Sequence, residues 1–236
     1  MASLVITLII PALDEETAIG PLLDSVDRTL IDEIIVGDNG SRDATAAVAR
    51  DRGAVVVAVP ERGYGAACAG ALSLLSPRTD VVVFIDADGS DDVSEMPLLI
   101  GPILRGEADL VIGSRVQGRR EPGALSSQQR FGNWLAVRLI ALLFGFRYSD
   151  LGPYRAIRRE LLDRIAMKDR RFGWTVEMQI RALQLGSRVA EVPVSYRRRI
   201  GRSKISGTVT GVLLAGYWIL ATIWRLRSKG EAAAKG

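Results

Sequence analysis

The stretch Val81-Val82-Val83-Phe84-Ile85-Asp86-Ala87-Asp88-Gly89-Ser90-Asp91-Asp92 drives five apolar residues straight into four carboxylates. An unbroken β-branched and aromatic run of this length reads as a strand buried on both faces, which requires a sheet covered on both sides. The abrupt change at Asp86 places like charges together at the carboxyl end of that strand. Ligands of open α/β sheets bind at those ends.

Comparable apolar runs occur at residues 4–10, 31–36, 54–59 and 109–112, and helix-like segments separate them at about 17–30, 43–52, 65–75 and 94–104. This alternation predicts a mostly parallel, Rossmann-type α/β sheet with helices on both faces. The first strand runs into Pro11-Ala12-Leu13-Asp14-Glu15-Glu16, the second into Asp38-Asn39-Gly40-Ser41, the fourth into Asp86-Ala87-Asp88. Three acidic loops on one edge of one sheet define a site.

The second half reads as a helix at 126–146, a polar turn at 149–155, helices at about 158–167 and 174–185, a strand at 189–196 and a basic loop at 197–204. An apolar, glycine-rich segment follows at 207–224. Residues 231–236 resemble helical linker sequence. Without repeats or a low-complexity linker, residues 1–206 read as one domain and 207–236 as a C-terminal apolar helix and tail.

Composition narrows the chemistry. The chain has 236 residues, is 48% hydrophobic and carries a formal charge of +4, all compatible with a well-cored globular protein. It has no histidine and a single cysteine, Cys68. Ser-His-Asp and Cys-His catalysis, histidine-ligated zinc and an intramolecular disulfide are excluded. Any metal is held mainly by oxygen, which points to Mg2+ or Mn2+. The start of the chain lacks a basic n-region and a small-residue cleavage site, so it reads as a first strand rather than a signal peptide.

Asp86 and Asp88, two residues apart at a strand end, project to the same side. Two carboxylates held together raise each other's pKa unless a cation shares them. A divalent ion that also binds a diphosphate relieves the repulsion and neutralises a departing diphosphate. The alternative is a solvated acidic turn in which Asp91 or Ser90 caps the next helix. Asp91 and Asp92 read as cap and first-turn residues rather than metal ligands.

The segments Ile9–Glu16, Val36–Thr45, Gly63–Ala67 and Asp86-Ala87-Asp88, in this order and spacing, resemble glycosyltransferase family 2, which has the GT-A fold. The resemblance covers roughly residues 4 to 116. Gly113-Ser114-Arg115, Asp150-Leu151-Gly152-Pro153-Tyr154-Arg155 and Arg199-Ile200-Gly201-Arg202-Ser203-Lys204 resemble, more loosely, the dolichol- or polyprenyl-phosphate mannose synthase branch.

The resemblance implies a nucleotide-sugar donor, UDP- or GDP-linked, with Pro11, Ala12, Asp14 and Glu15 lining its pocket and Asp38 on the base. It implies Arg115 and Arg130 on an acceptor phosphate, and Arg202 and Lys204 on the donor diphosphate. For Asp38 the competing reading is an Asx turn; for Asp14 and Glu15, charges serving a helix dipole. Gly65, in Arg62-Gly63-Tyr64-Gly65, either lets backbone and helix N–H groups approach an anion or merely starts a helix. Arg130, Arg202 and Lys204 are otherwise solvated or membrane-facing. If the acceptor is a hydroxyl, Asp150 or Glu177 is the candidate base; Glu177 equally suits an ion pair with Arg181. A phosphate acceptor needs little deprotonation.

Residues 207–224, about eighteen long, with basic residues at both ends and Tyr217, Trp218 and Trp224, fit a helix lying in a membrane interface. Residues 131–146 are a second candidate. Packing on the domain or a dimer seam is the alternative, and a homo-oligomer is left open. The expected protein is a metal-dependent glycosyltransferase, cytoplasmic and peripheral on the inner membrane face, with a lipid-phosphate acceptor. A soluble acceptor, a sugar-phosphate nucleotidyltransferase and a non-catalytic nucleotide-binding module are its rivals. Nucleic acid is disfavoured, since acidic loops repel phosphate and the basic residues are not interleaved with aromatics.

Overall fold

In the computed structural model the described residues are 4–201 and 209–233, with side chains from 4–201 and 214–227. The elements run β1 (Val5–Ala12), α1 (Glu16–Asp24), β2 (Glu33–Asp38), α2 (Thr45–Asp51), β3 (Val55–Ala58), α3 (Tyr64–Leu72), β4 (Thr79–Phe84) and α4 (Met96–Leu104). They continue with β5 (Leu110–Ser114), α5 (Ser127–Phe144), β6 (Arg155–Arg158), α6 (Arg159–Ile165), α7 (Trp174–Gln184), β7 (Val189–Pro193) and α8 (Val209–Ala233).

The strands form one sheet in the order β3-β2-β1-β4-β6-β5-β7. Neighbours are parallel except around β6, which is antiparallel to both β4 and β5. Because side chains alternate along a strand, an all-apolar strand loads both faces. Ile10, Val81 and Val83 point into one cluster, with Ile19 and Leu22 of α1 and Leu99 and Ile103 of α4. Ile9, Val82 and Phe84 point into the other, with Cys68 of α3, Ile140 of α5, Leu161 of α6 and Trp174 of α7. The expected mostly parallel sheet with helices on both faces is present.

β6 is the departure. The turn expected at 149–155 and the helix expected from 158 leave no room for it, yet Arg155–Arg158 pairs Ile157 with Val82 and Ala156 with Val83 on β4. Four residues with arginine at both ends show no strand periodicity. Neighbours contributed from elsewhere in the chain make it a strand. Arg155 is 1% exposed, and its guanidinium donates to the carbonyls of Gly152 and Thr175.

The first helix, expected to about residue 30, ends at Asp24. The next turn closes on Asp27, whose carboxylate accepts from the N–H and hydroxyl of Thr29. By contrast α5 has the bounds its caps dictate: Ser126 and Gln129 form a capping box, and Gly145 ends the helix at φ 74°.

α8 packs on α5 and α7. Ile223 and Leu226 are buried in the second cluster, and the Leu226 carbonyl accepts from Gln184. Tyr217, Leu220 and Trp224 of the same helix are exposed. Truncating Ile223→Ala should therefore cost about 2–5 kcal/mol in denaturant unfolding, whereas Trp224→Ala should stay within about 0.5 kcal/mol. Equal effects would mean that this face of the helix is not the one that docks.

Candidate active site

The sheet order reverses at β1, where β2 lies on one side and β4 on the other. Such a switch point opens a crevice beyond the strands' carboxyl ends. A cleft of about 260 Å3 lies there. Pro11 and Ala12 come to it from β1, Leu13 and Glu15 from the loop after it, Asn39 from the end of β2, Arg62, Gly63 and Tyr64 from the start of α3, and Asp86, Ala87 and Asp88 from the turn after β4. Phe172 and Arg199 complete its walls.

Asp86 and Asp88 both line this cleft, from the turn beyond Phe84, where β4 ends, and not from the strand itself. Asp88 Oδ1 accepts from the N–H and hydroxyl of Ser90, and Oδ2 lies 3.3 Å from Arg199 Nη1. Asp86 Oδ1 is buried without a partner among the described residues. Burial, then the charge of Asp88, push the Asp86 carboxyl up to about 7; Tyr64, Arg115 and Arg199 pull the other way.

Asp91 does not do what its position predicts. The cap of the following 3-10 turn is Asp92, which accepts from the N–H and hydroxyl of Ser94. Asp91 is 3% exposed, and neither carboxylate oxygen has a partner among the described residues. Burial, then Asp86, hold its pKa well above the ordinary value. The sequence signal was the same acidic run, but a cap and a buried acid cannot be told apart there.

Arg115 follows β5 into the site. Its backbone N–H and Nε donate to Asp150 Oδ2, both at 2.8 Å, and Nη2 donates to Oδ1 at 2.7 Å. The guanidinium lies over the Tyr196 ring, 5.1 Å from its centre. Burial works against the Arg115 cation, but the charge and hydrogen bonds of Asp150 outweigh it and raise its pKa. Asp150 is therefore a buried anchor for Arg115. Glu177, the other candidate base, is fully buried; it accepts from the backbone of Lys168 and Asp169 and pairs with Arg181 at 2.9 Å. Its helix-pair reading holds.

The glycines of the α3 start serve a chain crossing. A Cβ on Gly63, at φ 146°, would lie 2.1 Å from the Arg170 carbonyl oxygen, and one on Gly65 would lie 2.4 Å from that of Asp169. The N–H groups of Gly65 and Ala66 donate to Arg171 and Arg170. The anion-cradle reading of Gly65 gives way, because those donors are taken by the 169–171 loop.

Asp38 accepts from Ser41 N–H, three residues on rather than the two of an Asx turn, at 3.1 Å, while its neighbour Asn39 reaches the cleft. Asp14 sits at φ 51° and accepts from Arg42 N–H, tying the first acidic loop to the second. Glu15 is buried and pairs with Arg199 at 2.6 Å. Arg130 is exposed on α5. Arg202 and Lys204 lie outside the described residues. In the basic loop the residue seen in the cleft is Arg199, a member of the motif to which no role was assigned from sequence.

Residues 7–166 match the model of the family described as glycosyl transferase family 2. The chain is 37% identical over 224 residues to an uncharacterized glycosyltransferase of Mycobacterium tuberculosis, covering 92% of this chain and 98% of that protein. It is 34% identical over 203 residues to a dolichyl-phosphate hexose transferase of Haloferax volcanii, covering 85% of this chain and 86% of that one. Among solved structures it is similar to glucosyl-3-phosphoglycerate synthase from Mycobacterium tuberculosis in complex with Mn2+, UDP-glucose and phosphoglyceric acid. There the TM-score is 0.76 and the identity 28%, over 96% of this chain and 81% of that chain. The chain belongs to glycosyl transferase family 2; it is a glycosyltransferase, with the fold expected of that family.

The raised pKa of Asp86 carries a sign. Its ordinary value is 3.8 and its folded value about 7, so its contribution is complete below about pH 4 and is lost as pH rises through 7. In chelator-treated protein, Asp86→Asn should raise Tm, with the largest gain above pH 7 and none near pH 4. A gain independent of pH would mean that the Asp86 charge is not the cause.

Proposed function

We propose that the protein is a metal-dependent, inverting glycosyltransferase that moves a hexose from a uridine diphosphate sugar to the phosphate of a polyprenyl phosphate at a membrane surface. The Asp86–Asp88 pair in the switch-point cleft carries this reading. Its oxygen donors suit Mg2+ or Mn2+, and Asp86 Oδ1 is a buried acceptor with no hydrogen-bond donor among the described residues. Among the described residues no group of three or more Asp, Glu, Cys or His residues could hold a metal by itself. An ion on Asp86 and Asp88 would thus share its remaining positions with diphosphate oxygens and water. When bound, the ion supplies charge neutralisation for the departing diphosphate. The similar solved structure, crystallised with Mn2+ and UDP-glucose, supports both metal and donor.

In this reading Pro11, Ala12, Asp14 and Glu15 form the nucleotide side, with Asp38 at the base. Arg115 faces the acceptor, its fork oriented by Asp150, and Arg130, Arg202 and Lys204 supply further phosphate contacts. A phosphate acceptor fits the carboxylates. Asp150 and Glu177, the two candidate bases, are both held in arginine pairs, and a phosphate monoester arrives already ionised.

A lipid-linked acceptor fits the outer surface. Phe131, Trp134 and Leu142 of α5 and Tyr217, Leu220 and Trp224 of α8 are exposed. Arg138 lies over Trp134 and Arg227 over Trp224, as at an interface where rings and cations share the headgroup level. Among the described residues no helix is long and apolar enough to cross a membrane, so the contact would be peripheral. The relative named for dolichyl phosphate supports a lipid acceptor, whereas the similar structure holding phosphoglyceric acid supports a small phosphorylated one.

Sugar transfer from radiolabelled UDP-glucose to undecaprenyl phosphate in vesicles and to 3-phosphoglycerate in solution separates the two. The expected result is lipid product only, and transfer to phosphoglycerate alone would replace the lipid reading. Asp88→Ala should abolish Mn2+-dependent UDP binding and lower kcat by about a thousandfold or more, the scale of losing a principal electrostatic stabiliser. Arg115→Met should raise the acceptor KM and leave UDP binding within about threefold.

A further inference from the structure

Resting on the metal site proposed above, we infer that Arg199 is the resident counter-ion of that site: it holds Asp88 when no divalent ion is bound, and it must leave Asp88 for the ion to bind.

The geometry is that of a cation bridging two acids. Arg199 Nη2 donates to Glu15 Oε1 at 2.6 Å, and Nη1 lies 3.3 Å from Asp88 Oδ2. Both acids are buried, at 7% and 8% exposure, and arrive from different strands, Glu15 after β1 and Asp88 after β4. The guanidinium therefore bridges two acids in the cleft that all three residues line.

Arg199 is held there by its backbone neighbours. Ile200 N–H donates to the Asp88 carbonyl at 2.9 Å, and Arg197 N–H donates to the Ser90 carbonyl at 2.8 Å. The strap carrying the cation is thus hydrogen-bonded to the loop carrying the acid. Gly89 makes room for it, since a Cβ there would lie 3.1 Å from Ile200 Cδ1. Arg199 Nε is buried without a partner among the described residues, so this arrangement leaves one of its donors unused.

Asp88 Oδ1 is occupied by Ser90, which leaves Oδ2 as the oxygen for an incoming cation. Arg199 lies against that same oxygen. A divalent ion and Arg199 therefore compete for Asp88 Oδ2. A diphosphate changes the balance, because its anionic oxygens offer the released guanidinium a bidentate partner and the ion additional ligands. Metal and nucleotide should consequently bind with positive coupling, and part of that coupling is the removal of Arg199 from Asp88.

The test is Mn2+ binding to the full chain, read as free Mn2+ by electron paramagnetic resonance, first alone and then with saturating UDP. Wild type is expected to bind Mn2+ weakly alone and much more tightly with UDP. Arg199→Gln should bind Mn2+ alone about three- to tenfold more tightly, as expected for release of a partly buried ion pair, and its gain from UDP should shrink by the same factor, the remainder coming from the diphosphate ligands of the ion. Arg199→Lys, which keeps the charge on the strap, should stay near wild type for Mn2+ alone. Unchanged or weaker Mn2+ binding by Arg199→Gln, with Tm near wild type, would overturn the counter-ion role. So would Lys and Gln variants that behave alike. Failure of the metal site itself reads differently: neither wild type nor any variant would then take up Mn2+ with UDP present, and both readings would fall.

Discussion

Crowding of carboxylates at the end of β4 is the constraint around which the rest of the site is arranged. Asp86, Asp88 and Asp91 fall within six residues and are all withdrawn from solvent to some degree. A carboxylate taken out of water needs hydrogen bonds, a cation or a proton. Asp88 has Ser90 and Arg199; Asp86 and Asp91 keep oxygens with no partner among the described residues, and their pKa values rise. The strand cannot relieve this strain by moving. β4 is pinned between β1 and β6, and its apolar residues are buried on both faces.

The surrounding cations are placed by their own anchors. Asp150 and Tyr196 fix Arg115, and the backbone bonds of Arg197 and Ile200 to the Asp88 loop carry Arg199. The loop at 168–173 extends the same logic outward. Asp169 accepts from Thr222 of α8, and Phe172 lines the cleft. The helix with the exposed aromatic face is thus one short loop away from the cleft.

Several of these features are readable from local pattern. β1, β2 and β4 are built on apolar runs, the acidic loops follow them directly, and the capping box of α5 lies within four consecutive residues. Asp86 and Asp88 are legible as the acidic pair that directly follows an apolar strand, while the turn beyond Phe84 places them in the cleft. The Glu177–Arg181 pair is legible too, because helix geometry brings residues four apart together.

What the sequence by itself determined, then, is whatever short-range periodicity and chain geometry control: the parallel sheet, the edge at which ligands bind and the acidic pair at its centre. Only the tertiary structure decided the partners. Arg199 meets Glu15 across 184 residues, and Asp150 meets Arg115 across 35. β6 becomes a strand through β4 and β5, Asp91 becomes a buried acid through the chain folded over it, and Gly65 becomes a crossing point through the 169–171 loop. The physical reason is common to all of them. Burial and charge pairing depend on which distant segments the topology brings within a few ångströms, and no local pattern of residues encodes that distance.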